Sequence, residues 1–252
     1  MTPSTIDDVL ERLEAEVALA ERRGSRLGYF AALYHEVTAA VAAGIRDGRF
    51  EDGERMERLD VTFARRYLDA LDAYRGGAPC TRSWRLAFDA AQQWSPLILQ
   101  HLLLGMNAHI GLDLGIAAAR TAPGRALPSL RADFDEITSL LGELVDEVQD
   151  RIARVSPWMW IVDRVGLRSD EETATFGLGA SRRLAWKWAE RLAELEPEDQ
   201  EPAIESLDGV VAGIGKRIVR PGIHLRSALL LVRLREAPDV PRVIAALRGT
   251  GV

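Results

Sequence analysis

Residues 95–119 read SPLILQHLLLGMNAHIGLDLGIAAA. Ser95 suits a helix N-cap and Pro96 the first helical position, where its missing N–H costs nothing. The residues after Pro96 are apolar on nearly every face, the mark of a buried helix. The stretch is long enough to raise a membrane span. Gln100, His101, Asn107, His109 and Asp113 argue against one, because so many polar side chains are costly in lipid. The reading is a central helix, 96–119, that carries a polar stripe into the core, where its groups must find partners.

The stripe has a definite geometry. At about 100° and 1.5 Å per residue, His109 and Asp113 lie one turn apart, about 6 Å along the axis. His101 precedes His109 by about 12 Å and roughly 80° of rotation. Gly105, between them, leaves a notch for a helix, a water or a ligand. Gln100 and Asn107 share a different face and serve a different neighbour.

Periodicity and caps predict further helices. Thr5-Ile-Asp-Asp opens an amphipathic helix that Gly24 ends. Leu27–Ile45 is a second buried helix, with Phe30, Tyr34, Val37 and Val41 as one stripe and His35 and Glu36 as its strongly polar residues. Gly53–Tyr74 carries Met56, Leu59, Phe63, Tyr67 and Leu71 inward, with Asp60 inside that stripe. Thr81–Gln93 places Trp84 and Phe88 inward, and Ser129 caps a long helix to Val155. WMWIVDRVG after Pro157 is short and aromatic. Ser169 to Glu172 caps a helix carrying Trp186 and Trp188, two tryptophans read as packing. Ile204–Val219 has Gly209 and Gly213 one turn apart, which suits a close crossing. Ile223–Glu236 and Val240–Leu247 complete the chain. No run alternates with the period of a strand.

The fold class is therefore all-α, a bundle of about eight to ten helices around the central one. Its 252 residues, 47% hydrophobic, suffice for one domain over 1–252. Lobes 1–120 and 128–252, joined by the Pro/Gly-rich loop 121–128, would share one core. The formal charge of −6 offers no general attraction to nucleic acid or anionic membrane. A single cysteine, Cys80, in a loop after Gly76-Gly77-Ala78-Pro79, suits a reducing cytoplasm. No signal peptide is visible. Arginine far exceeds lysine, which with abundant alanine suggests a bacterial source.

Two chemistries compete for the buried groups. In the first, His109 and Asp113 supply two ligands to a divalent ion, Zn²⁺, Mn²⁺ or Fe²⁺, and His101, His35, Glu36 and Asp60 supply the others. A metal-bound water would then hydrolyse a phosphoester or amide, with Glu36 or Asp60 as base. No histidine has a Glu three residues before it, so the Glu-x-x-His di-iron motif is missing. In the second, His109 oriented by Asp113 faces Glu36 or Asp60 in a metal-free cyclase, isomerase or lyase, with Tyr34 and Tyr67 donating to a developing oxyanion. Against both stands a plain structural role: hydrogen-bonded core histidines, Asp113 orienting His109, Glu36 bonded to an arginine or a tyrosine, and Asp60 paired with Arg66 or another helix. That leaves a non-catalytic ligand-binding bundle. The expected partner is a small molecule, with no nucleic acid and no membrane span; a homodimer is left open.

The stretches YFAALYHEVTAAV, RMERLDVTFARRYLDAL and ILQHLLLGMNAHIGLDLGIAAA resemble an uncharacterised, mainly actinobacterial family known only as domain of unknown function 5995. The resemblance covers roughly the first 200 residues and is most specific at Asn107-Ala-His-Ile-Gly-Leu-Asp. It implies an all-α fold and no established activity. More distantly, the His109-x3-Asp113 turn is similar to a ligand pair in the all-α zinc phospholipase C and nuclease group. This chain has too few histidines for that group's trinuclear site and lacks its N-terminal Trp ligand.

Overall fold

The first helix, α1 (Ile6–Arg23), begins where local chemistry places it. Thr5 Oγ1 accepts the Asp8 N–H at 3.1 Å, and the Asp8 carboxylate accepts the Thr5 N–H at 3.1 Å. This reciprocal cap satisfies two otherwise orphaned donors. Gly24 closes the helix at φ 58°, a left-handed conformation open to glycine. The computed structural model describes residues 2–156, 177–221 and 229–250. The expectations for 158–166, for the cap at 169–172 and for 223–228 lie outside the described residues.

After α1 come α2 (Leu27–Arg46), α3 (Gly53–Arg75) and α4 (Arg82–Ala91). The central element is α5 (Ile98–Ala108), a π-helical turn (His109–Asp113) and α6 (Leu114–Thr121), one continuous rod. A 3₁₀ stretch (Gly124–Leu130) leads to α7 (Arg131–Val155). Beyond it lie α8 (Leu178–Glu194), α9 (Pro197–Val219) and α10 (Val240–Leu247). Among the described residues there is no strand. The all-α class holds, and no pairing of strands competes for the apolar faces.

The rod Ile98–Thr121 is long and apolar enough to cross a membrane, with mean hydropathy 1.4, yet 72% of that window is buried in the protein. One core cluster joins Ile6, Val41, Met56 and Leu114 to Phe134, Leu140 and Trp186. Another joins Val17, Tyr29 and Leu102 to Ile152, Val243 and Ile244. The central rod is thus covered by residues from before and after the 121–128 loop.

Its start differs from the sequence reading. Ser95 is not the N-cap; the helix begins at Ile98. The Ile98 N–H is accepted by the Glu236 carboxylate at 3.1 and 3.2 Å, and the Leu97 N–H by Gln100 Oε1 at 2.9 Å. Ser156 Oγ donates to Glu236 at 2.8 Å and fixes it there. A carboxylate at a helix N-terminus is favoured by the exposed N–H groups and the helix dipole. Ser129 likewise does not cap α7. It lies within the 3₁₀ stretch and donates to the Ala126 carbonyl.

Two further contacts position the rod. Gln100 Nε2 donates to the Ile218 carbonyl and Asn107 Nδ2 to the Val211 carbonyl, so these two residues serve one neighbour, α9. The close crossing there uses Gly215, not Gly209 or Gly213. A Cβ on Gly215 would stand 2.7 Å from Leu86, whereas one on Gly213 meets nothing within 4 Å. The Gly105 notch is filled by Phe30, whose ring would lie 2.3 Å from an added Cβ.

Candidate functional site

The π turn sits where the polar stripe is densest. The Leu114 N–H bonds the His109 carbonyl five residues back. Such single-turn insertions concentrate at functional sites. Here it carries His109 and Asp113, both fully buried.

Asp113 accepts three hydrogen bonds. Arg66 Nε donates to Oδ1 at 2.7 Å; Trp84 Nε1 and His109 Nδ1 share Oδ2 at 2.8 and 3.2 Å. The donors come from α3, α4 and the π turn, so the carboxylate ties three elements together. A buried charge survives only when so paired. The expected pairing of Arg66 with Asp60 does not form. Six residues of helix turn by about 240°, which puts Arg66 on a different face of α3 from Asp60 and toward Asp113.

His109 is enclosed by aromatic rings. It stacks on Phe63 at 3.5 Å and 5°, and meets Tyr34 edge-on at 4.5 Å. Phe30, Trp84 and Tyr67 stand at 5.8, 5.8 and 6.1 Å. Burial pushes the imidazole below its ordinary value, and the Asp113 hydrogen bond opposes this. The ring is therefore neutral near pH 7. With Nδ1–H given to Asp113, Nε2 carries a lone pair, and that buried atom has no partner.

A second group of unpartnered atoms lies beside it. Asp60 Oδ2 is buried without a hydrogen bond, and Tyr34 Oη and Thr38 Oγ1, one turn apart on α2, approach each other without good hydrogen-bond geometry. Burial, with Glu57 adding, pushes the Asp60 carboxyl up to about 7. The Tyr34 phenol is held well above its ordinary value, first by burial and then by the Asp60 charge. Tyr34 thus meets the His109 ring directly and feels the charges of both Asp60 and Asp113. Native proteins leave few buried polar atoms unsatisfied, and each one asks for an explanation.

The other expected residues fall elsewhere. Glu36 lies two residues past Tyr34, about 200° round α2, and so faces away from His109. It pairs with His35 Nδ1 and Arg151 Nη1, each at 3.4 Å. His35 Nε2 lies 3.7 Å from Glu14, itself paired with Arg248. These are half-buried ion pairs between α1, α2, α7 and α10, and neither His35 nor Glu36 belongs to the site. His101 contacts Tyr29 edge-on at 5.7 Å, and burial pushes it down to about 3. Phe30, seated in the Gly105 notch, packs between the two histidines. By contrast, Tyr67 stays at the site as a wall, its ring 6.1 Å from His109 and 6.0 Å from Tyr34, and burial raises its phenol first, with Glu16 adding.

The donor set does not fit the expected divalent ion. Among the described residues, no group of three or more His, Cys, Asp or Glu side chains converges to hold a metal. Asp113 already accepts from a guanidinium, an indole and an imidazole, and His109 Nε2 faces carbon rings. The likeness to the zinc phospholipase C group thus rests on the His-x3-Asp turn alone.

The roles missed from sequence are Arg66 as the partner of Asp113, Trp84 as a donor, and Phe63 as a wall. One signal pointed to them: an aspartate inside an apolar helix requires a cation. Arg66 also lines a groove of about 970 Å³ between α3, the start of α4, α6 and α9, with Thr62, Arg65, Arg82 and Arg120. No curated protein and no solved structure matches the chain. A family model described only as a family of unknown function, DUF5995, matches residues 6–221, and the chain belongs to that family.

Proposed function

We propose that the protein is a metal-free enzyme that moves a proton on a small molecule, in the isomerase, cyclase or lyase class, with His109 as base. The observation that carries this reading is the lone pair on His109 Nε2, buried and unpartnered, on a ring whose other nitrogen is locked to Asp113. A base so held stays in one tautomer, and the carboxylate stabilises the imidazolium that forms. Asp60, poised near neutrality, supplies or takes the second proton, and Tyr34 polarises a carbonyl between them. The aromatic walls suit an apolar substrate. Phe63 is only partly buried and covers the imidazole face, so substrate reaches Nε2 by displacing that ring. The single free Cys80 and the arginine-rich composition suit a reaction run in a reducing, bacterial cytoplasm. Hydrolysis through a metal-bound water is the weaker reading, because the donor set lacks a third ligand.

The test is consumption of a metabolite from a small-molecule extract by chelator-treated protein. Wild type turns it over and His109→Gln does not. Turnover that survives His109→Gln, or that requires added Zn²⁺, Mn²⁺ or Fe²⁺, overturns the reading. A second reading, a non-catalytic ligand-binding bundle, is favoured by one observation: His109 is only 2% exposed. In that case His109→Gln changes stability and no reaction.

A further inference from the structure

We propose that the groove beside α3 binds an anionic small molecule, a phosphate or a carboxylate, whose oxygens sit between Arg66 and Arg120. Arg66 is held by one edge: Nε–H is given to Asp113, while its two Nη atoms have no hydrogen bond or ion pair among the described residues. A guanidinium fixed in this way presents its remaining edge to an oxyanion without losing rotamer freedom on binding. Asp113, Trp84 and His109 form a buried anchor behind it.

Arg120, from α6, lies close enough to Arg66 for the two charges to repel. Burial, then Arg66, hold its guanidinium below the usual value. Among the described residues its ion pair is with Glu201, 3.7 Å away with a side chain 78% exposed, a pair that water screens, and the buried Asp113 charge also acts on it. Asp113 offsets one of these two charges, which leaves a net positive pair that an anion in the groove would join.

The remaining charges on the walls leave this inner end free. Asp208 is consumed as the cap of α4, accepting from the Arg82 N–H, the Ser83 N–H and the Ser83 hydroxyl at 2.7, 3.0 and 2.7 Å. Glu205 pairs with Arg82 at 2.8 Å. Asp69 and Arg65 lie exposed on α3 and line the groove. Thr81 lines the wall with a buried hydroxyl that makes no hydrogen bond, a spare donor for the ligand. The groove volume, about 970 Å³, suits a ligand larger than a bare ion. The anion would be the handle by which the apolar substrate proposed above is held, but the site itself does not depend on His109 being a base.

The experiment is titration calorimetry of the full chain with pyrophosphate, inorganic phosphate and citrate. We expect saturable binding to at least one probe that weakens as salt rises. Arg120→Ala, an exposed change, should weaken it by about tenfold or more, the loss of one charge-assisted contact. Arg131→Ala, a remote arginine on α7, should leave it unchanged. Binding by phosphate and pyrophosphate without citrate assigns a phosphorylated ligand, and the reverse a carboxylate. No binding of any probe at millimolar concentration, or binding unaltered by Arg120→Ala, overturns the proposal. Retained binding in His109→Gln, with turnover lost, separates this site from the acid–base reading. Arg66→Ala is a weaker test, because it strands Asp113, and it is read only if circular dichroism shows the fold intact.

Discussion

Arg66 Nε meets Asp113 Oδ1 at 2.7 Å, and through that one contact the solvent-facing groove is joined to the most deeply buried imidazole among the described residues. The carboxylate has no exposure, while the Arg66 side chain keeps 17%. The pair therefore spans the wall between water and core.

Removing the carboxylate strands both a cation and two N–H donors. Asp113→Ala should destabilise the protein by about 3–5 kcal/mol, the range for breaking a buried charge pair. Urea unfolding of wild type and variant measures this. A loss below about 1 kcal/mol would mean that Arg66 simply turns to solvent.

Two glutamates should differ in how much stability they contribute. Glu236→Ala removes the acceptor for the Ile98 N–H and the Ser156 hydroxyl, at a site that is 4% exposed, and should cost about 1–3 kcal/mol. Glu36→Ala breaks half-buried pairs with His35 and Arg151 and should cost less than about 1 kcal/mol. Thermal melts of the two variants decide the order.

Gly105→Ala drives a methyl into the Phe30 ring. The overpacking should cost about 1–3 kcal/mol. Phe30→Leu should relieve part of it, so a double-mutant cycle should show coupling between the two positions. Simple additivity would show that Phe30 does not fill the notch.

Asp60 gives stability a definite pH dependence. Its carboxyl is raised to about 7 from an ordinary value of 3.8, so the folded state holds a proton that the unfolded chain has lost between those values. Stability contributed by the protonated form is complete below about pH 4 and declines as pH rises to 7. The limiting slope is about 1.4 kcal/mol per unit. Asp60→Asn should remove that decline. His101 acts oppositely, pushed down to about 3 from 6.5, so its contribution fades as pH falls through that window. His101→Gln should flatten the acid side instead. Denaturation at half-unit pH steps separates the two.

The helix boundaries were legible because they are set locally. The Thr5 box and the Gly24 cap are decided within five residues of the helix ends they close, and apolar period placed α2, α3 and α10; α9 starts at Pro197, seven residues before the expected Ile204, and carries Pro202 inside it. Where a boundary was misread, at Ser95, the deciding group was Glu236, 138 residues from the Ile98 N–H it caps. The site was legible only in part for the same reason. His109 and Asp113 face each other because four residues of helix bring them round, which sequence spacing states directly. Glu36 was legible as facing away from Tyr34, since two residues of helix reverse direction, yet its polarity in an apolar run drew it into the expected site.

What the sequence determined by itself was an all-α chain with an aspartate and a histidine paired one turn apart inside an apolar helix. What the tertiary structure decided was which cation answers that aspartate, which rings enclose the histidine, and that Asp60 stays buried without a cation while Glu36 reaches Arg151. The physical reason is range. Helix period and capping act over a few residues of backbone, whereas neutralising a buried charge or filling a notch depends on side chains delivered by helices distant in the chain.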